Sequence, residues 1–171
     1  VIASGVDGDG ITVAIVDSGL ELTHEDLADN IVANKSYDYN NDDNNPEPTD
    51  NDGDHGTSVA GIVAAVGWNN KGVRGVAPNA SLVANNLIAA NLNDTGYSDA
   101  LGGDVSGYFD PSTVDIFNMS FGTSLNSSFP TPISTTYENG LLNGVTNLRS
   151  TKGAIYINAA GNDWREEKDT N

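Results

Sequence analysis

The run ITVAIV, residues 11 to 16, carries no charge, is mostly β-branched and stops abruptly at Asp17-Ser18-Gly19. A strand that is apolar on both faces has to be covered on both, so a chain built around it needs layers above and below one sheet. The same run ends in a carboxylate. A carboxylate at the end of a buried strand must be solvated, hydrogen-bonded or paired, because unpaired burial costs several kcal/mol, roughly, even after relaxation. Taken alone, Asp17 reads as the cap of the following turn.

Three further apolar runs read as strands: SLVANNLI at 81 to 88, VDIFNMS at 114 to 120 and GAIYINAA at 153 to 160. The small and apolar residues TSVAGIVAAV, 57 to 66, suit a closely packed helix that starts just after His55. Between the last two strands, Ile133, Tyr137, Leu141, Leu142, Val145 and Leu148 recur at helical spacing. Strands alternating with helices imply an α/β fold, a largely parallel β-sheet flanked by helices. Residues 40 to 54, NNDDNNPEPTDNDGD, are too polar and too rich in turn formers to be other than loop. No linker or internal repeat divides residues 1 to 171, which read as part of one domain.

Seven Lys and Arg against 24 Asp and Glu give a formal charge of −17, which repels nucleic acid and anionic membranes and attracts calcium or basic peptides. The chain has no Cys, which excludes disulfides, thiolate nucleophiles and Cys-ligated zinc. Any metal is then held by oxygen, or by His with carboxylates. No apolar run is long enough to cross a bilayer, and the opening VIASGVDGDG lacks the pattern of a signal peptide. Either a signal has been removed or the sequence begins inside a longer chain.

In open parallel sheets the working residues sit at the carboxyl ends of strands, and Asp17, Ser120 and Gly161-Asn162 all fall there. The chain has only two His. His24, among acidic neighbours in LELTHEDL, reads as solvated or structural. His55, beside Gly56 at a helix start, reads either as a surface His or as a general base, which needs an acceptor on one ring nitrogen to fix its tautomer. An Asp meets that need.

The blocks VAIVDSGLELTHEDL, DGDHGTSVAGIVAA, GVAPNASL, NMSFG and INAAGN, in that order, resemble the subtilisin-like serine peptidases over essentially the whole chain. GLLNGVTNLRSTKGAIYINAAGN is similar in particular to the kexin and furin branch. The resemblance implies that Asp17 orients the catalytic imidazole, that His55 is the general base and that Asn162 donates to the oxyanion. It implies that Ser120, Phe121 and Gly122 pair with the substrate backbone and line the pocket before the cut. The family's nucleophilic Ser stands in a Gly-Thr-Ser-Xaa-Ala block, which this sequence does not contain, and Ser124 in SFGTS belongs to the substrate-strand context. The chain is therefore expected to be an incomplete peptidase domain, inactive alone, with a second chain or another segment supplying the Ser.

The same resemblance implies a structural calcium ion at Asp26 and the loop WNNKGVRGVAP, with Asn69 as side-chain ligand, Asn70 in reserve and carbonyls near Lys71 and Val73. Asp52 matches a furin-like residue that holds a basic side chain in the second pocket, while Leu125 stands where a specificity Asp is expected. The expectation is thus a secreted endopeptidase acting on peptides or proteins, guided in folding by a propeptide or chaperone, with cleavage after basic residues as a hypothesis. The alternative is a degenerate peptidase that keeps only the peptide groove and the calcium site.

Overall fold

A computed structural model describes residues 5–49, 53–88, 94–103, 108–122 and 134–161. Five strands form one wholly parallel sheet: β1 (Thr12–Asp17), β2 (Tyr37–Asp38), β3 (Ser81–Asn86), β4 (Ile116–Met119) and β5 (Ile155–Asn158), in spatial order β2-β3-β1-β4-β5. Among the described residues three α-helices accompany them: α1 (His55–Ala64), α2 (Asp94–Ala100) and α3 (Thr135–Thr151).

The ITVAIV run forms β1 at the centre, buried on both faces as its composition requires. Val13 and Ile15 pack with Ala60 and Ala64 of α1 on one side. Ala14 and Val16 pack on the other side with Ala100 of α2, Leu101 and Leu148 of α3. After β1 the chain builds outward to β2 and β3 in one direction, then crosses to β4 and β5 in the other. The strand order therefore reverses beside β1, and the carboxyl end of β1 lies at the crevice where such sheets hold ligands.

The helix between β4 and β5 forms, but its buried face differs from the expected one. Tyr137, Leu141 and Leu148 pack on the core, whereas Leu142 and Val145 are exposed; Ile133 lies outside the described residues. Gly140 and Gly144 bring the helix in. A Cβ on Gly144 would fall onto the phenol of Tyr156, whose hydroxyl donates to Leu101 O at 2.6 Å. The helix also breaks at its end: Arg149, Ser150 and Thr151 all take positive φ. That left-handed turn costs about 1–2 kcal/mol per residue. It is held by Arg149, whose Nε donates to Asp115 Oδ1 at 2.6 Å while Asp115 Oδ2 accepts from Thr12 N at 3.0 Å.

Two elements have no counterpart in the sequence reading: the short strand β2, in a segment of mixed polarity, and α2, whose seven residues DTGYSDA carry no apolar stripe.

Candidate active site

The carboxyl ends of three strands lie level. Val16 is opposite Met119, and Met119 is opposite Asn158, so Asp17, Ser120 and Ala159 are the next residues out along one rim. Asp17 is fully buried. Its Oδ1 accepts from Ser18 N at 2.7 Å and lies 2.7 Å from His55 Nδ1. An ionised carboxylate only accepts, so the imidazole proton belongs on Nδ1, and Nε2 is left bare as a proton acceptor. The His55 side chain is 57% exposed while its partner Asp17 is 0% exposed, the arrangement of an accessible base on a buried anchor.

Local contacts set this geometry. Ser18 Oγ accepts from Gly56 N at 3.2 Å, and Thr57 Oγ1 accepts from Glu21 N at 3.0 Å, stapling the turn after β1 to the first turn of α1. Gly56 permits the approach: a Cβ there would land on the carbonyl oxygen of Gly19 and 3.0 Å from Asp17 Cβ. Gly19, at φ +106°, lies equally close to the acidic loop, with a Cβ position 2.7 Å from Pro46 O. Leu20 N donates to the same oxygen at 2.8 Å. The polar loop read from composition is thus tied to the wall of the site.

Ser120 accepts from Asn118 Nδ2 at 2.9 Å, Phe121 packs against the core on the α3 side, and Gly122 is open to solvent. Asn162 and Asp52 lie outside the described residues, as do Ser124 and Leu125. Gly161, just before Asn162, has φ +90° and open space around it. His24 is away from the couple; its Nδ1 accepts from Asp26 N at 3.2 Å, a local turn bond in line with the structural reading.

Hydrogen bonds join Asp26, Asn69, Lys71 and Val73. Asp26 is 1% exposed and accepts from Asn69 Nδ2 at 2.7 Å and from Val73 N at 2.8 Å. Asn69 Oδ1 accepts from Lys71 N at 3.0 Å, and Lys71 Nζ donates to Glu25 O at 3.2 Å. Gly72 has φ +34°, and a Cβ there would strike Asp26 Oδ2. Among the described residues no group of three or more His, Cys, Asp or Glu gathers; both Asp26 oxygens already accept N–H bonds, and the other oxygens at hand are those of the Asn69 amide and the loop carbonyls. Those are hard donors of the kind calcium takes.

Sequence reasoning missed Ser18, Asp38 and Asn86, which line the same end of the sheet. The signal was present for the last of these, because NN inside SLVANNLI places two polar side chains in an otherwise apolar strand. Tyr39 was also passed over. Burial first, and then the bond from its hydroxyl to Asp99 Oδ2 at 2.7 Å, push its phenol well above the ordinary range.

The pattern of one family, described as the subtilase family, matches residues 8–171. Furin-like protease 2 of Drosophila melanogaster is 38% identical over 165 residues, covering 94% of this chain and 9% of that protein. The Aeromonas extracellular serine protease of Aeromonas sobria is 38% identical over 172 residues, covering 95% of this chain and 25% of that protein. The crystal structure of the Aeromonas sobria serine protease in complex with the chaperone ORF2 aligns with TM-score 0.77 at 36% identity, over 92% of this chain and 26% of that one. The chain thus spans 9% to 25% of the length of these two curated relatives.

Proposed function

We propose, since the chain belongs to the subtilase family, that it supplies the Asp and His of a serine endopeptidase. The observation that carries this reading is the 2.7 Å contact from Asp17 Oδ1 to His55 Nδ1, with Nε2 directed away from a buried anchor at the reversal point of the sheet. In the reaction His55 Nε2 takes the proton of a Ser hydroxyl contributed from outside these 171 residues, and that oxygen attacks the substrate carbonyl. Asp17 holds the imidazole and stabilises the imidazolium that results. Asn162 donates its amide to the tetrahedral oxyanion. His55 returns the proton to the leaving amine, and water, activated by the same base, releases the acyl group. Ser120, Phe121 and Gly122 hold the substrate as an added strand beside β4.

Calcium at Asp26 and Asn69 is part of this reading, with the carbonyls of Lys71 and Val73 as further donors. Its support is the buried carboxylate of Asp26 with the Asn69 amide and the Lys71–Val73 loop drawn in against it. As described, Asp26 takes N–H bonds from Asn69 and Val73, so ligation by Asn69 requires its amide oxygen to turn toward the ion. When bound, calcium supplies rigidity to the loop and no chemistry to the reaction.

Secretion and a folding helper are inferred by analogy with the extracellular relative and with the protease solved beside a chaperone. Among the described residues no helix is long and apolar enough to cross a membrane. Substrates are basic peptides, because a charge of −17 attracts them and Asp52 matches a second-pocket acid. Hydrolysis of peptides ending in Lys-Arg, Ala-Arg and Ala-Phe by the whole parent protein tests this. Fastest turnover of Lys-Arg supports it, equal rates remove the basic preference, and failure on all three removes the peptidase reading.

A further inference from the structure

The carboxyl ends of β2, β3 and β1 carry a row of side chains, Asp38, Asn86 and Asp17, each 0% exposed. Asp38 is opposite Asn86, and Asn86 is opposite Asp17, so neighbours in the row project to one side of the sheet with backbones about 4.8 Å apart. It is the side that α1 covers, since Ala84 and Ile15, two residues before Asn86 and Asp17, pack there with Ala60 and Ala64.

Hydrogen bonds are spread unevenly along the row. Asp38 accepts from Asn40 N at 2.6 Å, Asn41 N at 3.1 Å, Asn41 Nδ2 at 3.2 Å and Asn86 Nδ2 at 3.3 Å. Beside this oversupplied carboxylate, Asn86 Oδ1 and Asp17 Oδ2 are both buried and, among the described residues, both without a donor. Adjacent buried acceptors that share no hydrogen are unfavourable, and the low local dielectric sharpens the penalty. Turning the Asn86 amide end for end exchanges the longest of the four Asp38 bonds for an N–H along the row toward Asp17; Asp38 Oδ2 keeps the Asn41 bond, and the Asn86 oxygen then faces that carboxylate, so one buried acceptor in the row lacks a donor in place of two.

We propose that Asn86 is a positioning residue for the Asp17 and His55 couple: its carboxamide N–H donates to Asp17 Oδ2 and so fixes the plane of the carboxylate on which the imidazole rests. Asn86 touches no reacting atom and acts through Asp17. The inference rests on the catalytic reading of Asp17 and His55 given above.

The test replaces Asn86 in the whole parent protein by Leu, which keeps bulk but removes the donor, and by Asp, which keeps shape and in its ionised form can only accept. Both substitutions are expected to lower kcat ~tenfold or more while KM stays within about twofold, the pattern of a lost orienting bond. Both are also expected to move the low-field proton resonance of His55 Nδ1–H. Cooperatively melting Asn86→Asp and Asn86→Leu proteins with unchanged kcat and an unmoved resonance overturn the proposal. Reduced kcat with an unmoved resonance overturns it equally, because the role is then only structural. The resonance needs no turnover. A wild-type protein that cleaves nothing defeats the peptidase reading, while the shift in Asn86→Asp still reports whether Asn86 touches Asp17.

Discussion

His55 Nδ1 and Asp17 Oδ1 stand 2.7 Å apart although 38 residues separate them in the chain. The contact joins the end of a central strand to the start of a helix, and the catalytic reading depends on the imidazole being held in that orientation. Asp17→Asn keeps the shape but offers an N–H to Nδ1, which favours the wrong tautomer. A fall in kcat of about four orders of magnitude with little change in KM is expected, the size established for the Asp of comparable triads. Steady-state kinetics on the whole enzyme checks it, and a loss carried by KM instead would contradict it.

Gly56 is the tightest point between the two elements, with a Cβ position 3.0 Å from Asp17 Cβ and onto Gly19 O. Gly56→Ala has to move the first turn of α1 away from β1. Overpacking of this kind costs ~1–3 kcal/mol, which lowers Tm by roughly 2–12 °C in a domain of this size. The same displacement lengthens the Asp17 to His55 contact, so kcat falls as well. Calorimetry together with kinetics checks both; a protein of unaltered Tm and kcat would show that the approach is looser than described.

Calcium binding at Asp26 predicts a difference in Tm between calcium-loaded and chelated protein. At a free concentration ~100 times Kd, an ion that binds only the folded state adds about 2.7 kcal/mol. Asp26→Asn is expected to lower Tm in chelator, because its bonds to Asn69 and Val73 are altered, and to abolish the further gain on adding calcium. Scanning fluorimetry in calcium and in chelator reads both effects. Equal Tm for the wild type in the two conditions would remove the site.

Acid stability has a smaller, separable contribution. The bond from Lys35 Nζ at 2.6 Å, and then the bonds from Ser112, hold the Asp110 carboxyl at about 2, below its ordinary value of 3.8. A lowered carboxyl stabilises the fold above the unfolded value and loses that contribution as pH falls from about 4 to about 2. The pair is largely exposed and screened, so the effect is small. Asp110→Asn is expected to lower Tm slightly at pH 6 in low salt, and the difference between the proteins shrinks as pH falls toward 2 and closes below it. A difference that persists at low pH would assign the effect to lost packing.

Much of this arrangement was legible before any coordinates, for physical reasons that can be traced. The uncharged run before Asp17 reads as a strand buried on both faces, and although Asp17 alone reads as a turn cap, a carboxylate there has to be solvated, hydrogen-bonded or paired, a need that one of two histidines can meet. Five ordered motif blocks carried the family. What escaped was decided by tertiary contact. β2 is two residues long and owes its existence to pairing with Asn85 and Asn86, not to a pattern in its own sequence. The buried face of α3 was misjudged because Gly140 and Gly144, invisible to a hydrophobic periodicity, are the residues that touch Ser98 and Tyr156. The turn at Arg149 to Thr151 follows from an ion pair with Asp115, 34 residues away, which no local preference encodes.

The central claim is that the Asp17 and His55 couple activates a Ser hydroxyl. The most direct measurement is covalent labelling of the whole parent protein by a fluorophosphonate, followed with time in the wild type and in His55→Ala. Rapid, stoichiometric labelling of one Ser in the wild type, slowed about a thousandfold or more in His55→Ala, is the predicted result. An unlabelled wild type, or equal rates in the two proteins, would contradict it.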